Sequence, residues 1–188
     1  MARNYTLKKR AEAQAETRQR IVDAAVALHS SVGPAATTIS MIADKAGVQR
    51  HTLYAHFPDE RAMLMACSGH SLETDPLPEA SAWRAIDDPA ERLRVGLNAV
   101  YAYFERNAEL LTCVLRDVET HEIVQEVMAT RYAPGIVAWH EVLGTGLKAK
   151  QRAMVTLALS FHTWRTLTRE AGLKRSDAVK AMVKAIVE

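Results

Sequence analysis

Cysteine is nearly absent from this chain: Cys67 and Cys113 are the only two in 188 residues. Two thiols build no disulfide framework, and so sparse a count fits a reducing compartment. No apolar run approaches the ~20 residues that a membrane-spanning helix needs. The opening, "MARNYTLKKRAEAQAETRQR", lacks the apolar stretch of a secretory signal. The expected location is therefore cytoplasmic, with no membrane partner. Aromatic residues make up 6%, and the eight glycines form no phosphate-cradling loop. Cys67 and His70 stand in C-x-x-H spacing, but a zinc site needs further ligands that the neighbourhood does not supply. Seven histidines are present without a recognisable Ser-His-Asp arrangement. No enzymatic activity, cofactor or metal is expected.

What remains is an ordinary globular composition, 48% hydrophobic and 24% charged. The net charge of +2 is small but unevenly placed. Residues 1–61 carry nine Lys and Arg against six Asp and Glu, a net of +3. The remainder carries 15 against 16. Clustered positive charge is an electrostatic footprint for a polyanion, so the N-terminal third is the place to look for one.

From Glu16 to Ser31, Ile21, Ala24, Ala25 and Leu28 recur at helical spacing, and Gly33-Pro34 ends the helix. Thr38 is placed to cap a second short helix carrying Ile39, Ile42, Ala43 and Ala46. Gly47 follows where a left-handed residue is wanted. "QRHTLYAHF" then reads as a third helix, with Val48, Leu53 and Phe57 inward. Gln49, Arg50, His51, Thr52, Tyr54 and His56 are left outward or on the rim. Two short helices joined by a tight glycine turn are the helix-turn-helix pattern, whose second helix enters the major groove of double-stranded DNA. Arg, Gln and Thr suit base edges, whereas Tyr and His reach phosphate at the flank.

"TTISMIADKAGVQRHTLYAHF" resembles the signature of the TetR (tetracycline-repressor) family of bacterial regulators. The matching positions are Thr37-Thr38, Ile42-Ala43, Ala46-Gly47-Val48, Thr52-Leu53-Tyr54 and His56-Phe57. The upstream "RIVDAAVALHSSVG" matches the family's first helix, so the likeness covers roughly residues 18 to 65. It implies a helix-turn-helix DNA-binding domain over 1–65, with a basic N-terminal arm. It also implies a ligand-binding and dimerisation domain over 66–188. The expected DNA-contacting set is Thr37, Thr38, Gln49, Arg50, His51, Thr52, Tyr54 and His56. The chain departs from the family in three places. Gln49 replaces the frequent Ser and caps its helix less well. His51 stands where a small residue is common, so the operator sequence should differ. Glu60 occupies the position of a lysine phosphate anchor, and Arg61, next to it, points about 100° away.

Residues 79–188 read as an all-α antiparallel bundle, about nine helices in the whole chain. Asp88-Pro89 starts a helix bearing Leu93, Leu97, Val100, Tyr101 and Phe104 and running to about Asn107. Further helices are expected over "AELLTCVLRDV", "HEIVQEVMATRY" and "PGIVAWHEVLGTG", with a break near Pro134-Gly135. "KAKQRAMVTLALSFHTWRTLTREAG" reads as one long helix. A last helix follows, capped by Ser176, with Ala178, Met182, Ala185 and Ile186 on one face. "HSLETDPLPEAS" reads as the loop joining the domains. The resemblance implies an effector cavity in this bundle, with Tyr101, Phe104, Cys113, His121, Trp139, His140, Phe161, His162 and Trp164 as candidates. It also implies a homodimer through the last two helices. The effector is expected to be apolar or aromatic, because no charge cluster suits a highly charged ligand. The whole reads as a repressor released from a palindromic operator by that effector. The alternative is a helix-turn-helix interaction protein, or an activator, without effector-driven release.

Overall fold

The computed structural model describes the backbone of residues 2–188 and side chains from Leu7 onward. Arg3, counted in the basic arm, has its side chain outside the described residues. Every regular element among the described residues is helical. The chain packs as two compact units, residues 1–74 with 112–128 and residues 75–111 with 129–188. Packing thus divides the chain elsewhere than at 65/66, and it gathers a later segment into the first unit.

In the first unit, α1 (Ala2–Ser31) extends well upstream of the expected start at Glu16. The basic arm is therefore helical over the described residues. Helices α2 (Ile39–Ala46), α3 (Arg50–His56) and α4 (Glu60–Thr74) follow. One apolar cluster joins them: Ile21, Val22, Ala24 and Ala25 of α1; Ile42, Ala43 and Ala46 of α2; Leu53, Phe57, Met63 and Cys67. Leu28 and Val48 pack against it. Cys67 belongs to this core, and burial pushes its thiol up to about 12. His70 turns instead to Gln19 and to Asp23, 3.4 Å away. The C-x-x-H pair is therefore divided between core and surface.

The end of α6 (Ala108–Asp117) and α7 (Glu122–Val127) complete this unit. Gly33 ends α1 at φ +98, and a Cβ there would lie 2.6 Å from Asp117 Oδ2. Only glycine admits both the backbone and the close approach. Asp117 accepts from the Ala35 N–H at 2.9 Å and from Arg116 Nε at 2.7 Å. Two contacts then join α4 to α7. Glu60 lies 3.1 Å from His121 Nε2, and Arg61 grips the Glu126 carboxylate with Nε at 2.9 Å from each oxygen.

The second unit is built on α5 (Pro89–Arg106), started by Asp88 accepting from the Glu91 N–H at 2.9 Å. Around it lie α8 (Ala133–Leu143), α9 (Ala149–Ala158), α10 (Phe161–Arg165) and α11 (Arg175–Val187). Four details correct the sequence reading. The long helix expected over 148–172 is broken at Leu159–Ser160, where Ser160 caps α10 by accepting from the His162 N–H at 3.2 Å. The Ala158 carbonyl, at the end of α9, accepts the Tyr101 hydroxyl at 3.0 Å. The break near Pro134 becomes a π-turn over Met128–Tyr132, after which the helix resumes. Proline lacks an N–H and crowds the preceding turn, and the wider turn absorbs both effects. Lys174, not Ser176, takes the cap position of α11, whose buried face is Ala178, Val179, Met182 and Ile186, with Ala185 exposed. The expected inter-domain loop is partly helical, since α4 runs to Thr74 and a 3₁₀ turn forms at Ala80–Trp83.

His29, 5% exposed, lies in the first unit, and burial lowers its pKa from 6.5 to about 4 despite the opposing field of Asp117. Its folded value is below its unfolded value, so its stabilising contribution is complete above 6.5 and is lost as pH falls toward about 4. At ~1.4 kcal/mol per unit, that loss is on the order of 3 kcal/mol. Urea midpoints of the wild type should fall across this interval, and His29→Leu should flatten the slope. Equal slopes for the two proteins would refute the assignment.

Candidate nucleic-acid interface

The helix-turn-helix is set by local rules that the sequence carries in full. Thr38 accepts from the Met41 N–H at 3.2 Å and caps α2. Gly47 closes α2 at φ 66, ψ 38, and the Val48 N–H wraps back to the Ala43 carbonyl at 3.0 Å. No atom would crowd a Cβ on Gly47, so the left-handed backbone alone selects glycine there. The turn delivers α3 with Leu53 and Phe57 in the core, 0% and 1% exposed.

Burying those two residues fixes what α3 presents outward. Gln49, Arg50, His51 and Tyr54 are exposed, while Thr52 and His56 are partly buried. No hydrogen bond or ion pair engages Arg50, His51 or Tyr54 among the described residues. Both threonines do local work: Thr37 Oγ1 donates to the Gly33 carbonyl at 2.7 Å, and Thr38 is the cap. Gln49 occupies the N-cap of α3 without a side-chain cap hydrogen bond. The start of α4, where the sequence leads to no phosphate anchor, pairs both of its charged side chains with α7. Glu60 faces His121, and Arg61 is committed to Glu126.

The structure adds a residue that the motif does not mark. The Arg18 guanidinium stacks over the Phe57 ring, 4.7 Å from its centroid. With Gln14, Ala15, Ala55 and His56 it lines a cleft of about 350 Å³ between α1 and α3. The available signal was its position on α1 one turn before Ile21, which brings a cation to the margin of the core beside α3.

The bundle candidates fall into four groups. Tyr101, Phe104, Phe161 and Trp164 form a closed aromatic cluster, with Phe104 edge-on to Phe161 at 5.6 Å and Phe161 5.2 Å from Trp164. Trp139 is buried and donates from Nε1 to the Pro78 carbonyl at 2.7 Å. His140 is half-buried, which lowers its pKa, and His162 is exposed. His121 is in the first unit, where its Nδ1 accepts from the Val124 N–H at 3.4 Å and caps α7. Cys113 is also there, with its thiol 3.5 Å from the Ser30 carbonyl.

Residues 21–67 match the model of bacterial regulatory proteins, tetR family. The likeness to that family is carried by this stretch of the head. Among curated relatives, the transcriptional regulator SrpR of Pseudomonas putida is 40% identical over 40% of this chain and 38% of its own. The transcriptional repressor KstR of Mycolicibacterium smegmatis is 31% identical over 56% of this chain and 52% of its own. The chain thus spans about half the length of the curated relatives it matches, or less. Solved structures extend the likeness in fold. FadR of Bacillus subtilis, solved in complex with stearoyl-CoA, superposes with a TM-score of 0.66 at 15% identity, over 90% of this chain and 97% of that one. The family member PfmR of Thermus thermophilus gives 0.62 at 20% identity, over 89% and 97%.

The empty cap at Gln49 gives a test of the local reading. Its backbone, φ −77 and ψ 150, already suits a capping side chain. Gln49→Ser should stabilise the protein by about 0.5–1 kcal/mol, measured by urea denaturation. A loss of stability would contradict this reading of the cap.

Proposed function

We propose that this protein is a cytoplasmic DNA-binding transcriptional regulator, acting as a repressor that a small-molecule effector releases from a palindromic operator. One observation carries the reading. Arg50, His51 and Tyr54 stand exposed, and without partners among the described residues, on a helix whose other side is locked into the core by Leu53 and Phe57. Long polar side chains in that position suit a partner, and their chemistry suits base edges and phosphate. Arg50 and His51 read bases; Thr38, Tyr54 and His56 hold phosphates. The repressor relatives support the direction of regulation.

Two such heads are needed for a palindrome, which requires a homodimer through α9–α11. Ala178, Val179, Met182 and Ile186 are taken up inside the unit, whereas Leu157, Leu173 and Val187 remain exposed for a partner copy. In a dimer the recognition helices sit one DNA turn apart, ~34–36 Å, or a multiple of it. The effector is apolar or aromatic and binds in the second unit; the stearoyl chain of the FadR complex supports an apolar occupant. It acts only if it binds one spacing of the heads better than the other. A coupling of ~1–3 kcal/mol would weaken DNA binding by 5- to 150-fold.

The test is differential binding by two variants. Arg50→Ala should cost about 1–3 kcal/mol on the operator and relax specificity at one base position. Tyr54→Phe should weaken operator and random DNA about equally. Equal losses on both DNAs for Arg50→Ala would contradict the base-reading role.

A further inference from the structure

The second unit holds a surface cleft of about 270 Å³ lined by Arg84, Arg92, Glu141, Val142 and Thr145. Clefts that take drug-sized ligands run to roughly 300–1,000 Å³, so an occupant here is small. Arg92 is 5% exposed. One terminal nitrogen donates to the Ile86 carbonyl at 2.7 Å and the Asp87 carbonyl at 3.4 Å; the other donates to the Thr145 carbonyl at 2.6 Å. All three acceptors are neutral, and no carboxylate pairs with this charge among the described residues. Its Nε is buried without any acceptor. Buried charges are ordinarily paired, and buried donors ordinarily satisfied.

Arg92 ties the turn before α5 to the end of α8, which accounts for its two terminal nitrogens. That role leaves Nε unexplained, and it leaves Arg84 and Glu141 unexplained on the rim of the same cleft. Both are exposed, and neither side chain has a hydrogen bond or ion pair among the described residues. Two arginines and one glutamate line one small volume, all without a charged partner among the described residues. A plain anion would meet repulsion from Glu141, and a plain cation would meet it from both arginines. A molecule carrying both charges answers all three groups.

We infer that this cleft binds a small zwitterion of the α-amino acid class. Its carboxylate sits against Arg84 and Arg92, and its ammonium against Glu141. Val142 supplies a short apolar wall for an aliphatic substituent. This site is distinct from the aromatic cluster of Phe104, Phe161 and Trp164, and it stands whether or not the protein binds DNA.

The experiment is titration calorimetry and thermal melting of the full chain with the common L-α-amino acids. Acetate and n-butylamine serve as half-ligand controls. At least one amino acid should bind one-to-one and raise the Tm, with both half-ligands much weaker. Arg84→Ala and Glu141→Gln should each weaken that binding about tenfold or more, as expected for losing a charged hydrogen-bond partner. Because both residues are exposed, the variants should melt as the wild type does without ligand. Absence of binding by every amino acid at millimolar concentration would overturn the proposal. So would unchanged affinity in Arg84→Ala, or acetate binding as tightly as any amino acid and tightening in Glu141→Gln, which would mark a plain anion site.

Discussion

The burial of Leu53 and Phe57 is the constraint on which the candidate interface depends. A seven-residue helix has little stability of its own, since helix nucleation costs more than so few turns return. α3 is held because Leu53, and Phe57 at its C-cap, enter the cluster built by Ile21, Ala25, Ile42 and Met63. Once they are inside, helical geometry decides the rest. Arg50, His51 and Tyr54 can only face outward, and the Gly47 turn fixes where α3 begins. The same apolar contacts that stabilise the head therefore orient its polar face.

Charge placement is arranged around that face with a consequence for its edges. At the start of α4, Glu60 and Arg61 are both turned toward α7, to His121 and Glu126. The flank of α3 consequently gains no free cation from α4. Arg18 of α1 brings a cation beside α3, held over the Phe57 ring.

The head was legible in the sequence because its signals are local. A threonine cap, a left-handed glycine and apolar spacing over about twenty residues need no knowledge of the rest of the chain. The limits appear where distant segments decide. The return of residues 112–128 to the first unit rests on Asp117 meeting Ala35 and on Glu126 meeting Arg61, pairs separated by 82 and 65 positions. The break at Ser160 was hidden because "MVTLALSFHTW" has helical composition throughout; the cap is visible only once the helix ends there. Only residue type marks the aromatic candidates in the sequence, and type does not distinguish a packed ring from a pocket wall. Tyr101, Phe104, Phe161 and Trp164 turn out to satisfy one another. Arg84, Arg92 and Glu141 of the second unit, which have no charged partner among the described residues, carry no motif, and three separate helices and turns bring them to one cleft.

The most direct test of the central claim, that the outward face of α3 reads DNA as one of a symmetric pair, is selection of bound sequences from a random double-stranded pool by the purified protein. The account predicts enrichment of a near-palindrome whose half-sites are centred about 10–10.5 base pairs apart, or a multiple of that. Recovery of an unenriched pool, or of a single asymmetric half-site bound by a monomer, would contradict it.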